Sequence, residues 1–361
     1  MQLLSTLSET VRRYIALATA EADVIALWIV HTHCFEAAQD TPYLAITSAE
    51  KQCGKSRLLE LLELLVANPW LTGSVSAAVL YRTIDDLHPT LLLDESDATF
   101  NGNKEFGEAL RGVLNSGHHT GGKASRCERA GESFVRRDFQ TFCPKAIAGI
   151  GKLPDTVESR SIPIRLKRKP PGMAIERFRR RDVELEAEQL RDQITAWKAE
   201  HGERLAALRP ELPEALSDRQ QDGAEPLLAI ADAVGGEWPE RARAALVQLL
   251  TGTAAEDQSV GVRLLADIRS AFHAAQCDRL ASGELLAKLN LDETMPWGEF
   301  TSGRPLSAIG LARLLKPFGI QPRTIRQEQS TSKGYFRESF ADAWTRYLPS
   351  PPQAVTPSQA A

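Results

Sequence analysis

A lysine and a hydroxyl stand side by side in Ala49-Glu50-Lys51-Gln52-Cys53-Gly54-Lys55-Ser56, after the apolar run Tyr43 to Ile46 and before a helix-forming stretch, Arg57 to Val66. Strand, loop and helix in that order turn backbone N–H groups and a helix N-terminus toward an anion, so the segment reads as a phosphate-binding loop. In that chemistry Lys55 neutralises the β and γ phosphate oxygens, Ser56 ligates Mg²⁺, and Arg57 opens the helix beside them. Ala49 stands where the usual G-x-x-x-x-G-K-[ST] pattern begins with glycine, so a Cβ must fit there. Downstream, the apolar run Pro89-Thr90-Leu91-Leu92-Leu93 ends in Asp94-Glu95. The first carboxylate would hold Mg²⁺ through its water shell, and the second, Glu95, would polarise an attacking water. The expected reaction is in-line attack of water on the γ-phosphate of ATP.

Four short apolar runs must position these groups: Tyr43 to Ile46, Thr90 to Leu93, Ala146 to Ile150 and Ile162 to Leu166. They alternate with helical stretches, as in a buried parallel sheet. The predicted fold is α/β, with this core spanning 39–170. Residues 1–38 carry Val11, Ile15, Leu17, Val24, Leu27 and Val30 at helical spacing and predict two packed helices. Residues 171–258 predict an all-helical lid broken near Pro210, Pro213, Gly235 and Pro239. Residues 259–348 suit a small winged-helix-like module, and the Pro, Ser and Ala-rich 349–361 a disordered tail.

Composition narrows the class. With 361 residues, 43% hydrophobic and 25% charged, the chain is an ordinary globular protein of two or three folded units. No apolar run is long enough to span a membrane and no leader pattern opens the chain, so a cytoplasmic location without a membrane partner is expected. Cys34, Cys53, Cys127, Cys143 and Cys277 lack zinc spacing and are expected as thiols. His31, His33 and Cys34 fall in an apolar helical stretch and read as packing residues. A net charge of -4 leaves nucleic-acid contact to local patches.

Cys143-Pro-Lys-Ala-Ile-Ala-Gly-Ile-Gly-Lys-Leu-Pro, followed by Glu158-Ser159-Arg160-Ser161, resembles the sensor and arginine-finger region of AAA+ ATPases. The resemblance implies that Arg160 reaches the γ-phosphate of a neighbouring subunit in a homo-oligomeric ring. Sensor positions in that superfamily are polar, whereas here Gly149, Ile150 and Gly151 stand, with Lys152 the nearest polar side chain. With T-S-A-E-K-Q-C-G-K-S, P-T-L-L-L-D-E-S-D, A-I-A-G-I-G-K-L-P-D-T-V-E-S-R-S-I and L-S-D-R-Q-Q-D-G-A-E-P-L-L-A-I-A-D-A-V-G-G-E-W-P, nearly the whole chain resembles the phage, plasmid and prophage ATPases catalogued as domain of unknown function 3631. That resemblance implies an ATPase in a replicative setting, helicase activity by analogy with replicative ring ATPases, and a primase or other replication protein as partner. Arg219 would be the second sensor arginine at the nucleotide.

Three basic segments could meet DNA, single-stranded in the ring reading. A hairpin insertion offers Lys123, Arg126, Arg129, Arg136 and Arg137, with a solvated hairpin or subunit contact as the alternative. The run Arg165, Lys167, Arg168, Lys169, Arg177, Arg179, Arg180 and Arg181 precedes Glu184, Glu186 and Glu188, which can absorb part of its charge through i to i+4 pairs. In the C-terminal module Arg323, Arg326 and Lys333 lie where winged helices contact phosphates, with Lys333-Gly334-Tyr335 as the wing. The rival reading is a nucleotide-gated DNA-binding adaptor, a regulator or defence component. A metabolic P-loop kinase would need an acceptor pocket and no winged helix.

Overall fold

The computed structural model describes residues 2–48, 50–73, 75–94, 104–130, 133–150, 153–169, 172–256, 260–291, 295–300, 304–327 and 330–348. The chain forms two units, Met1–Ala254 and Ala255–Ala361. The first opens with helices α1 (Gln2–Tyr14) and α2 (Thr19–Cys34). Then come β1 (Tyr43–Ser48), α3 (Lys55–Leu65), β2 (Pro69–Thr72), α4 (Ala77–Leu87), β3 (Thr90–Leu93) and α5 (Lys104–Ser116). The hairpin β4 (Lys123–Ala130) and β5 (Ser133–Gln140) precedes β6 (Lys145–Ile150), α6 (Asp155–Glu158) and β7 (Ser161–Arg165). Helices α7 (Arg180–Leu205), α8 (Asp218–Val234) and α9 (Trp238–Glu256) complete it.

Five strands pair in parallel in the order β2-β3-β6-β1-β7. Four arise from the apolar runs, since strands covered on both faces read as continuous hydrophobic segments. Alternation sends Leu44, Ile46, Leu92, Ala146, Ala148, Ile162 and Ile164 into one core, shared with α1, α2, α3, α7, α8 and α9. Tyr43, Ala45, Leu91, Leu93 and Ile147 enter the other, shared with α4 and α5. The strand the sequence did not announce is β2, only partly covered and opening on Pro69, which an edge tolerates because one side needs no ladder hydrogen bond. Of the expected breaks, Pro239 is none: it sits in the first turn of α9, where its missing N–H costs no helical bond.

Helix α2 is apolar all round and buried from Ala22 to Thr32, as a helix enclosed by protein must be. His31 is 1% exposed, its Nε2 2.8 Å from Thr41 Oγ1, and burial pushes its pKa down to about 3. The unfolded imidazole titrates near 6.5 and binds the proton first, so the stability His31 contributes is full above about pH 6.5 and lost as pH falls toward 3. Between pH 6.5 and 5 the loss should approach about 2 kcal/mol. Thermal unfolding of His31→Gln should therefore be less acid-sensitive than that of the wild type over this interval, and parallel profiles would refute it.

The second unit holds α10 (Val260–Ala275), β8 (Arg279–Ala281), α11 (Ser282–Leu291), α12 (Ala308–Leu315), β9 (Arg323–Gln327), β10 (Ser330–Phe336) and α13 (Ala341–Tyr347). Its antiparallel sheet runs β8-β10-β9 over a core that includes Leu264, Phe272, Trp297, Tyr335 and Phe340. Lys333-Gly334-Tyr335 does not form the expected wing turn. Gly334 sits within β10, opposite Ala281 and Arg323, and a Cβ there would lie 2.4 Å from Ile325 Cδ1 and from Leu280 O. Close strand packing, not a turn, requires this glycine. Among the described residues no helix is long and apolar enough to cross a membrane. The expected tail, 349–361, lies outside the described residues.

Candidate nucleotide site

The loop leaving β1 bends through Gln52 (φ 63°) and Gly54 (φ 95°) into α3. A left-handed turn of this kind suits glycine, which has no Cβ to clash. Gly54 caps α3 without a side-chain hydrogen bond, so the first N–H groups of the helix face the loop. Lys55 Nζ donates to Ser48 Oγ at 2.5 Å and lies 3.4 Å from Glu50 O. Ser56 Oγ donates to Asp94 Oδ2 at 2.7 Å, across 38 residues of chain. Asp94 is held there because its N–H extends the β2–β3 ladder, donating to Thr72 O at 3.0 Å.

These groups share a cleft of about 550 Å³ lined by Lys51, Gln52, Cys53, Gly54, Lys55, Ser56, Arg57 and Asp94, with Gly149 and Ile150 at the end of the intervening β6. Ala49, Glu95, Gly151 and Lys152 lie outside the described residues. The Glu50 carboxylate meets Arg168 at 2.8 Å, and the Arg57 guanidinium lies 4.9 Å over the Phe178 ring and 3.0 Å from Glu60. Ser48 and Arg168 were not foreseen. Ser48 precedes the residues to which the loop pattern gives a role, and Arg168 was one of eight bases in a run.

Arg160 and Arg219 meet at the opposite end of the sheet. Tyr43 pairs with Ser161 in the parallel β1–β7 ladder, so Arg160 stands before the first residues of both strands, whereas the loop follows the last residue of β1. A six-residue strand separates them, about 20 Å at parallel-strand rise. Arg160 donates from Nη1 to Thr156 O, capping α6 as ordinary helix-end chemistry would have it. Burial, and then Arg219, lower its pKa. Arg219 Nη1 donates to Ser159 Oγ at 3.1 Å. The expectation of Arg219 beside its own loop is corrected here: α8 starts against the α6–β7 turn, which fixes Arg219 at the far end.

The hairpin has the expected extent, and its register sorts the five basic residues. Arg126 pairs with Arg137, and Arg129 with Phe134. Directly opposed residues share a face, and alternate residues switch face. Arg126 stacks on Tyr81, with its guanidinium 4.7 Å from the ring, and Arg137 lies over Phe139 at 4.9 Å and 3.9 Å from Asp85. Both rest their guanidinium groups on rings of α4 and β5, and both stay exposed. Lys123, Arg129 and Arg136 share the other face with Phe134, which is 74% exposed; Arg136 also meets Asp138 at 3.2 Å. The basic run 165–181 finds its local partner in Asp182, 3.9 Å from Arg179 and 3.3 Å from Arg181, whereas Arg180 meets Glu63 at 2.5 Å and Glu186 meets Arg13 at 2.5 Å. Long-range packing, invisible in local spacing, selects the last two pairs.

In the second unit Arg323 lies 3.5 Å from Glu338, and Lys333 donates to Thr324 at 3.2 Å. Arg326 pairs with Thr331 in the β9–β10 ladder, and its side chain lies outside the described residues. Arg313 on α12 and Lys316 just after it are exposed, as is Ile309 at 84%; none was foreseen, because helical spacing gave no sign of which α12 face packs.

The A form apo structure of the NrS-1 C terminal region covers 93% of this chain and 75% of its own length, at 9% identity and a TM-score of 0.41, too distant a likeness to assign anything. An uncharacterized 28.9 kDa protein in the xis 5' region of Saccharopolyspora erythraea is 40% identical over 190 residues, covering 52% of this chain and 70% of that protein. The family described as protein of unknown function (DUF3631) matches residues 165–347, from the end of β7 through α13 and thus beyond the loop and the strand before Asp94. The chain therefore belongs to the DUF3631 family.

Proposed function

We propose that the chain is a P-loop ATPase of the AAA+ type that works as a homo-oligomer on DNA, as a helicase or translocase in the replication of a phage, plasmid or other mobile element. The observation that carries the reading is the Ser56–Asp94 hydrogen bond beside Lys55 in one cleft. Two motifs 38 residues apart in the chain converge, and a hydroxyl with a carboxylate is a donor set suited to a hard cation. Mg²⁺ held there would offset charge on the phosphate oxygens. Lys55 and the α3 N-terminus bind and orient the phosphates, Asp94 and Ser56 hold the metal's shell, Glu95 orients the water, and Arg160 serves a neighbouring subunit.

The outer hairpin face is the favoured contact for single-stranded DNA, because bases stack on exposed aromatics while basic side chains track the backbone. Adding single-stranded DNA should raise ATP turnover of the wild type. Phe134→Ala should weaken that DNA about tenfold while leaving turnover without DNA unchanged. Turnover indifferent to DNA would sink the motor reading. It would favour the nucleotide-gated adaptor, which the apolar Gly149 and Ile150 in the cleft support.

The α10-β8-α11-α12-β9-β10 order of the second unit supports a winged-helix reading in which α12 meets the DNA groove. Arg313, Lys316 and Ile309 are then better placed than Lys333.

A further inference from the structure

We infer that a second cavity, beside the segment that enters β1 and away from the phosphate loop, is a binding site for an extended organic polycation of the polyamine class.

The cavity, about 600 Å³, lies among the end of α2, the 36–40 segment, the end of α7 and one face of α8, and it shares no lining residue with the nucleotide cleft. Its size is that of a small-molecule pocket. Four carboxylates line it: Glu36 and Asp40 from the segment, Asp222 and Glu225 one turn apart on α8. Asp40 lies 3.0 Å from His119, whereas the carboxylates of Glu36, Asp222 and Glu225 have neither ion pair nor hydrogen bond among the described residues. The arginine of the lining, Arg209, turns Nη1 to the carbonyls of Ala206 and Leu208 instead, at 3.1 and 2.8 Å. Burial, and then Asp40 and Asp218, raise the Asp222 pKa, as happens where carboxylates gather without a counter-charge.

Two uncharged acceptors add to these. His31, 1% exposed, lines the cavity with Nε2 held 2.8 Å from Thr41 Oγ1, and its Nδ1 has no hydrogen-bond partner among the described residues. Its pKa, pushed down to about 3 by burial, keeps the ring neutral, so with Nε2–H donating to Thr41 a lone pair remains on Nδ1. Pro226, inside α8, has no N–H to give the Asp222 carbonyl one turn before it, and both residues line the cavity. The acceptors are spread: among the described residues no three His, Cys, Asp or Glu side chains stand close enough to hold one metal ion. A compact cation would meet few of them. Ammonium groups a few methylenes apart can each take a carboxylate while the chain between them covers the apolar Leu208 and Ile230 of the wall.

Spermidine titrated into the full chain at physiological salt should bind saturably, one per chain, as read by calorimetry. Asp222→Asn and Glu225→Gln should each weaken it about tenfold, the worth of one charge-assisted contact. Glu225→Lys, which brings its own ammonium, should abolish it. Asp86→Asn, an equal loss of charge on α4, should change nothing, and hexaamminecobalt(III), equally charged but compact, should not displace spermidine. Absence of saturable binding overturns the inference. So does equal weakening in Asp86→Asn or displacement by the cobalt complex, either of which reduces the effect to attraction by net charge. Wild-type affinity in the Asp222→Asn, Glu225→Gln double variant overturns it as well. The Asp86→Asn and cobalt arms leave the cavity intact, so they decide even if a cavity variant fails to fold.

Discussion

Replacing Lys55 by alanine should raise the Kd for ATP about a hundredfold or more, whereas Glu95→Gln should leave ATP bound and lower turnover about 10²- to 10⁴-fold. The two effects separate because the groups do different work. The Lys55 ammonium, placed 2.5 Å from Ser48 Oγ at the loop mouth, offers charge-assisted hydrogen bonds to phosphate in ground and transition states alike, so its loss appears in binding. Glu95 follows Asp94, whose position is set by the β2–β3 ladder and by Ser56, and a base acting on water contributes only once the reaction starts. Equilibrium binding of a fluorescent ATP analogue and steady-state phosphate release check both. Normal turnover in Glu95→Gln would remove the hydrolytic reading, and undiminished affinity in Lys55→Ala would remove the loop assignment.

Arg160→Ala should lower turnover about a thousandfold with ATP affinity nearly unchanged, the size of effect a transition-state guanidinium supplies. Equal mixtures with Lys55→Ala subunits, each inactive alone, should regain measurable phosphate release. The reason is directional: Arg160 precedes the first residues of β1 and β7 while the loop follows the last residue of β1, so only another chain's phosphate is within reach. If the mixture stays inactive at every ratio, Arg160 is a helix cap holding Thr156 O and nothing more.

From the sequence by itself came the α/β class, four of five parallel strands, the hairpin, and the convergence of Lys55, Ser56 and Asp94 on one cleft. All of these depend on local order: a buried strand must be an apolar run, and a phosphate loop must join a strand to a helix N-terminus. The tertiary structure decided what depends on distant partners. It added β2, whose edge position asks little of its residues. It placed Arg219 at Ser159, laid Arg126 and Arg137 over Tyr81 and Phe139, and left Phe134 outside. Side-chain direction on a hairpin follows from register and from which face finds a core, and a charge finds its counterion through folding, not through spacing.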